Sequence, residues 1–334
     1  MQADLALIWA AVIGFAVVMY ILMDGFDLGV GILFPFVRDE AERDVMMNTV
    51  APVWDGNETW LVLGGGGLLA AFPLAYAIIM PALYFPILIM LVALIFRGVA
   101  FEFRFKSQHQ ALWGKAFFWG SLLATFAQGL VLGGFLQGFK VDGRQFAGGV
   151  FDWFTPFGVG CGVALVTGYA LLGASWLILK TEGLLQARFY QLALPLAAIM
   201  ISFIGVFCIW APLTYPAIAR RWFSLPAFFF LLPIPLITAG VALALIRALR
   251  QRREAQPFLL SLLLLLLTYL GFGVNLWPYV VPPSITLWEA ATAPSSQVFL
   301  LVGVLLLMPA ILFYTGYSYY VFRGKVRVGE GYHG

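Results

Sequence analysis

The residues of this chain most able to do chemistry are carboxylates within apolar segments. Asp24 and Asp27 stand near the end of the first long apolar run, and Asp55 and Glu58 open the second. The members of each pair are three residues apart, so a helix presents both on one face. Because a carboxylate inside a bilayer costs about 2.5 kcal/mol or more, these four acids require a partner or a function.

Clustered acids have a defined chemical consequence in a low-dielectric site. They hold protons more tightly than in water, because ionising one acid disfavours ionising the next. Such a cluster suits either a proton entry path or a site for a small cation. The spacing alone does not choose between these two functions.

Structural explanations of the same residues also remain open. Asp55, Asn57 and Glu58 could serve only as caps at the positive end of a helix dipole. Arg97, at the end of the third apolar run, could pair with Asp24 or Asp27 as a purely structural contact.

The composition shows what must surround these acids. Of the 334 residues, 62% are apolar and 10% are charged, whereas soluble domains are about half apolar and a quarter charged. The solvent for most of this surface must therefore be lipid. The net charge of +3 gives no reason to expect a nucleic-acid partner.

We predict an all-α integral membrane protein forming one transmembrane domain. Two four-helix-bundle-like halves, about 1–138 and 150–322, are expected with one peripheral helix and a cytoplasmic tail, 323–334. A span needs about 20 apolar residues, and a tight turn is expected near Met80–Pro81, with Pro81 starting a helix. Nine runs meet this length, near 5–35, 56–79, 81–103, 115–138, 156–179, 190–215, 225–248, 257–280 and 297–322.

The distribution of basic residues predicts the orientation. If the amino terminus is outside and nine spans alternate, 15 of the 19 Lys and Arg residues fall on the inner side. Only Lys140, Arg144, Arg220 and Arg221 then lie outside. This asymmetry follows the positive-inside rule and places the carboxyl terminus in the cytoplasm.

Histidine is scarce. His109 follows the third run and His333 is one residue from the end, so no predicted span contains one. Because membrane haems are held by His, Met or Cys ligands, we expect no metal site and no axially ligated haem on this chain.

Three segments resemble a known family. MDGFDLGVG at 23–31, APVWDGNETWLV at 51–62 and RGVAFEFR at 97–104 are similar to cytochrome bd ubiquinol oxidase subunit II. The short length is closest to the cyanide-insensitive branch.

The resemblance implies a respiratory complex of the bacterial inner membrane that oxidises quinol and reduces dioxygen to water. Such a complex takes protons from the cytoplasm and generates a proton gradient without pumping. Its subunit I carries three haems, and a small single-span subunit usually accompanies the pair. The second subunit is associated with assembly, proton delivery, oxygen access and a structural quinone, so no catalytic residue is expected here.

The resemblance also assigns roles to residues. Asp55 is the leading proton-path candidate, and Trp60 matches a residue near the oxygen entrance. The expected path comprises Asp55, Asp27, Asp24 and Glu58, and its supporting polar network comprises Asn57, Arg97 and Glu102. Glu58 departs from the family pattern, in which an uncharged Gln is common, and this leaves the exact path open.

Two rival functions remain. An ion-coupled secondary transporter would also carry acids within its spans, and a structural stabiliser would use them only to pair with Arg97. A pigmented partner that co-purifies with the chain is expected only for an oxidase.

Overall fold

The structure is a computed structural model that describes residues 2–329, with side chains from residue 4 onward. A short 3-10 helix, Phe34–Phe36, follows the first helix, and two small antiparallel hairpins pair β1 (Val141–Asp142) with β2 (Gln145–Phe146) and β3 (Tyr279–Val281) with β4 (Ile285–Thr286). The α-helices are α1 (Gln2–Leu33), α2 (Glu40–Asn48), α3 (Trp54–Ala71), α4 (Pro73–Ala82), α5 (Tyr84–Arg104), α6 (Gln110–Gln137), α7 (Pro156–Lys180), α8 (Gly183–Thr214), α9 (Pro216–Phe223), α10 (Ala227–Leu231), α11 (Pro233–Arg250), α12 (Gln256–Leu276), α13 (Leu287–Ala290) and α14 (Pro294–Val321).

Within the described residues, eight helical segments are long and apolar enough to cross a membrane. They are α1, α5, α6, α7, α8, the α10–α11 segment, α12 and α14. The all-α membrane architecture is therefore confirmed. The remaining predicted span, 56–79, is divided at Phe72 between α3 and α4. Helix α3 has 18 residues and carries two acids and five glycines. At 1.5 Å per residue α3 is about 27 Å long, close to the thickness of a bilayer core.

The predicted turn at Met80–Pro81 is wrong. Pro81 lies inside α4, and the chain breaks at Phe72 and again at Leu83. Pro73 is the residue that begins a helix here, because a proline in the first turn loses no helical hydrogen bond.

The helices end on two faces. The tail face contains α2 and residues 322–329: Glu42 of α2 pairs with Arg188 at the start of α8, and the Val326 amide donates to the Lys180 carbonyl. The hairpin face contains both β-hairpins, joined where the Phe139 amide donates to the Pro282 carbonyl.

The helix α3 runs between these faces. It starts after α2, and the Ala71 carbonyl at its end accepts from the Thr292 amide in the segment before α14. The acids at the start of α3 and near the end of α1 are therefore close to the tail face.

Helix α1 is central, since it packs against α3, α6, α7 and α12. Helix α14 is peripheral: it contacts α1 and α3, and Gln297 is the only residue of this helix that is buried. The interior helices α6 and α7 pack against each other, so the proposed halves share an extensive boundary and their division stays a prediction.

Close packing of α1 on α7 depends on glycine. A Cβ on Gly29 would lie 1.9 Å from the Tyr169 carbonyl oxygen, and one on Gly25 would lie 2.9 Å from the Tyr169 ring. Gly25 and Gly29 therefore allow the two helices to approach closely. Helix α7 therefore packs directly on the part of α1 that contains Asp24 and Asp27.

Candidate functional site

Asp24 and Arg97 form an ion pair within the helical bundle. The Arg97 Nη1 donates to Asp24 Oδ1 at 2.7 Å, and both side chains have no exposed surface. Trp54 and Phe101 stack on each other, and the guanidinium lies 5.9 Å from each ring centroid. The predicted pairing with Arg97 is therefore confirmed for Asp24.

Asp27, one helical turn later, has a different partner. Its Oδ2 accepts from Asn57 Nδ2 at 2.7 Å, and the Asn57 Oδ1 accepts from the Tyr319 hydroxyl at 2.9 Å. Asp27 and Asn57 are both buried. One short chain of hydrogen bonds thus joins helices α1, α3 and α14. Among the described residues, the neutral amide of Asn57 is the only donor to Asp27 Oδ2.

A second polar chain extends across the bundle from the neighbourhood of Asp24. Gln128 donates from Nε2 to the Tyr20 hydroxyl at 2.7 Å, and the Tyr169 hydroxyl donates to Gln128 Oε1 at 3.1 Å. These three side chains come from α1, α6 and α7, and all are buried. They surround the acids with further polar groups in a region that is otherwise apolar.

The α3 acids lie between this interior and the protein surface. Asp55 is exposed in the first turn of α3, and Glu58 is half-buried with its Oε2 enclosed. Trp60 is 2% exposed and packs edge-on against Phe15, with ring centroids 5.7 Å apart. The side chains of α3 therefore pass from the surface to the interior in a little over one turn.

Several enclosed polar atoms of the cluster have no hydrogen-bond partner among residues 2–329. They are Asp24 Oδ2, Asp27 Oδ1, Glu58 Oε2, Arg97 Nε and Arg97 Nη2. Buried polar groups are normally satisfied by protein or by water. This cluster is therefore incompletely satisfied by the chain's own side chains, unlike most buried polar groups.

Glu102 is the predicted network residue that the structure does not bring to the others. It is exposed and accepts from Lys106 Nζ at 3.0 Å, one turn further along α5. Its functional assignment stays a prediction without a contact to the cluster.

A second buried arginine was missed by the sequence analysis. Arg104 donates to Glu40 at 2.6 Å, to Asp44 at 3.0 Å and to the Gln110 carbonyl at 3.0 Å. These bonds attach α2 to the end of α5 on the tail face. The hydrogen bond from Arg104 holds the pKa of the Glu40 carboxyl below its usual value.

The described part of the chain has no group of three or more His, Cys, Asp and Glu side chains that could hold a metal ion. His109 lies at the start of α6 on the surface, and His333 is outside the described residues. The groups of the acid cluster that can gain or lose a proton are its carboxyls.

Comparisons with known proteins agree over nearly the whole chain. The family model described as cytochrome bd terminal oxidase subunit II matches residues 5–322. The chain is 30% identical to cytochrome bd-I ubiquinol oxidase subunit 2 of Escherichia coli (strain K12), over 96% of this chain and 95% of that protein. It is 29% identical to cytochrome bd ubiquinol oxidase subunit 2 of Bacillus subtilis (strain 168), over 97% of this chain and 98% of that one.

A solved structure has the same fold. A chain of the bd oxidase from Geobacillus thermodenitrificans superposes with a TM-score of 0.66 at 20% identity, covering 93% of this chain and 97% of that chain. The arrangement of helices is thus similar to that of a known membrane oxidase chain.

Proposed function

Because the chain belongs to the family of cytochrome bd terminal oxidase subunit II, we propose that it supplies such an oxidase with a proton path and a scaffold. As a member of this family, it is a subunit of a quinol:oxygen oxidoreductase. The alternative drawn from the sequence, an ion-coupled secondary transporter, receives no support from the comparisons.

The observation that best supports a proton path is that the two acids of α1 have different partners. Asp24 is balanced by Arg97 at 2.7 Å, whereas Asp27 is hydrogen-bonded by the neutral amide of Asn57. In the described residues no cation lies within ion-pair distance of Asp27. A buried carboxyl without its own counter-ion can exist in either protonation state, which a proton-transferring group requires.

The proposed path enters through α3. Asp55 is exposed at its start, Glu58 follows on the same face three residues later, and the α1 acids lie beyond. The enclosed atoms without protein partners offer positions at which water could bridge successive carboxyls. Protons would move from Asp55 by way of Glu58 to Asp27.

The remaining assignments follow from family membership and from the charge distribution. We propose that the haems are held by a partner, subunit I, and that the complex includes a small single-span subunit. The amino terminus would be outside and the tail face cytoplasmic, as the positive-inside rule indicates. Trp60 would lie beside an oxygen entrance, and a structural quinone would bind within this subunit.

The substitution Asp55→Asn tests the path in the purified complex. It removes the titratable group and keeps the size of the side chain, so haem content should be normal. Quinol-driven oxygen consumption should fall by about tenfold or more, since a positioned proton-transfer group typically contributes about 10²–10⁴. The absorption spectrum gives haem content, and an oxygen electrode gives turnover.

The matched control is Glu182→Gln. Glu182 is an exposed acid of the tail face that pairs with Arg327 at 2.8 Å, outside the proposed path. Its variant should keep full turnover. Normal turnover in Asp55→Asn would remove the proton path through Asp55 and leave a structural role for this residue.

A further inference from the structure

Tyr319 joins the otherwise peripheral helix α14 to the acid cluster. Its hydroxyl donates to Asn57 Oδ1 at 2.9 Å. Its ring lies edge-on to Phe26 and Trp176, with centroids 6.4 Å and 6.3 Å away. Phe26 and Trp176 are buried and stacked at 4.3 Å, so the ring of Tyr319 rests on fixed neighbours.

The Asn57 amide has two sides with different chemistry. Its Nδ2 faces two acceptors on α1, Asp27 Oδ2 at 2.7 Å and the Met23 carbonyl oxygen at 3.4 Å. A rotated amide would turn Oδ1 towards these oxygens, and it would accept a bond only from a protonated Asp27. The orientation in the structure is the one that can donate to an ionised Asp27, although the carbonyl oxygen of the protonated acid can accept the same bond.

We propose that Tyr319 is a positioning residue for the proton path. By donating to Oδ1 of Asn57, it holds the amide so that Nδ2 donates to Asp27 and favours the carboxylate over the protonated acid. Tyr319 acts through Asn57 and has no contact with the transferred proton.

The other groups around Asp27 determine the direction of the effect. Asp24 on α1 and Glu58 on α3 are acids, and Arg97 on α5 is the cation of this neighbourhood. Arg97 is already paired with Asp24, so the amide of Asn57 is the group that directly stabilises negative charge on Asp27. Loosening the amide should therefore favour the protonated form.

The experiment uses Tyr319→Phe in the intact complex and infrared difference spectroscopy over a pH series. The variant Asp27→Asn identifies the carbonyl band of protonated Asp27. In Tyr319→Phe this band should persist to higher pH, by about one pH unit, as expected for a weakened hydrogen bond to a charged group. The pH profile of oxygen consumption should move in the same direction.

Tyr317→Phe is the matched control. Tyr317 is on the same helix, is 57% exposed and stacks on Phe313, with centroids 6.5 Å apart. Its variant should leave the Asp27 band unchanged. Equal behaviour of Tyr319→Phe and Tyr317→Phe would overturn the proposal.

A double variant tests whether Tyr319 acts through the amide. Asn57→Ala should move the band at least as far as Tyr319→Phe, and adding Tyr319→Phe to Asn57→Ala should cause no further change. An unchanged band in Asn57→Ala, or a full further shift in the double variant, would overturn the proposal. Asn57→Ala also provides the test if Tyr319→Phe fails to assemble.

The effect on turnover rests on the proposed proton path, whereas the band position does not. Normal turnover in Asp55→Asn combined with a shifted Asp27 band in Tyr319→Phe would reject the path through Asp55 and keep the positioning role. Reduced turnover in Asp55→Asn combined with an unmoved Asp27 band in Tyr319→Phe would keep the path through Asp55 and reject the positioning role of Tyr319.

Discussion

Helix α5 carries two buried arginines two turns apart, and their surroundings differ. Arg104 has acceptors on three sides: Glu40 at 2.6 Å, Asp44 at 3.0 Å and the Gln110 carbonyl at 3.0 Å. Arg97 has one acceptor, and within residues 2–329 its Nε and Nη2 have no partner. Both guanidiniums have no exposed surface.

Their acidic partners differ in the same way. Glu40 and Asp44 are 48% and 34% exposed, so water shares the solvation of these carboxylates, whereas Asp24 is completely enclosed. The pairs of Arg104 on the tail face are satisfied and suit a structural attachment of α2. Burying the Arg97–Asp24 pair costs more free energy than burying the pairs of Arg104, because its polar atoms are incompletely hydrogen-bonded. A buried pair that costs stability in this way fits a functional role better than a purely structural one.

The largest effect is expected from Arg97→Met. This change leaves Asp24 buried without its counter-ion, and breaking a buried pair typically costs about 3–5 kcal/mol. Assembly of the complex should be severely reduced. The yield of haem-bearing complex and its thermal unfolding measure the loss.

The double change Asp24→Leu with Arg97→Met sharpens this test. Replacing both members of a buried pair by apolar residues is often neutral for stability, so assembly should recover in the double variant. Failure of the double variant to recover would show that the pair contributes more to the fold than its charges do.

Arg104→Gln should have a smaller effect. Its acidic partners can be solvated where they are already exposed, and the hydrogen bonds lost to a charged donor contribute about 1.5–3 kcal/mol. The midpoint of thermal unfolding should fall less than in Arg97→Met. Equal losses in the two variants would contradict the distinction between the two arginines.

Much of the acid cluster could be predicted because its members have unusual residue types for their positions. A carboxylate or an arginine inside an apolar run is recognisable without a structure, and Asp24, Asp27 and Arg97 were found in this way. The sequence could not predict which of these acids pairs with Arg97. Which of two acids on one helix face receives the cation depends on the rotation and approach of α5.

Tyr319 and Gln128 could not have been found from the sequence. Tyrosine is common at the ends of membrane helices, and these two residues are 262 and 108 positions from their partners Asn57 and Tyr20. Their roles arise only when α14 and α6 pack on the bundle.

The helix α2 could have been found. Asp39 accepts from the Glu42 amide as the N-cap of this helix, and an acid three residues after an Asp cap is a helix-start signal. Helix α2 has nine residues and is too short and too polar to be predicted as a membrane span. The partners of Arg104 were missed with it.

The smallest expected effect is the pH dependence of the α2 attachment. The hydrogen bond from Arg104, followed by the charges of Arg104 and Arg43, holds the pKa of Glu40 below its ordinary value of 4.5. A group with a lowered pKa in the folded state stabilises the fold above its unfolded pKa, and this stabilisation is lost as the pH falls through the folded pKa. The difference in thermal midpoint between the unmodified complex and Glu40→Gln should therefore be larger at pH 7 than at pH 4. Because Glu40 is 48% exposed, the difference should be small. A difference that is equal at pH 4 and pH 7 would show that the bond to Arg104 does not depend on the charge of Glu40, and the contrast between the two arginines would then rest on geometry alone.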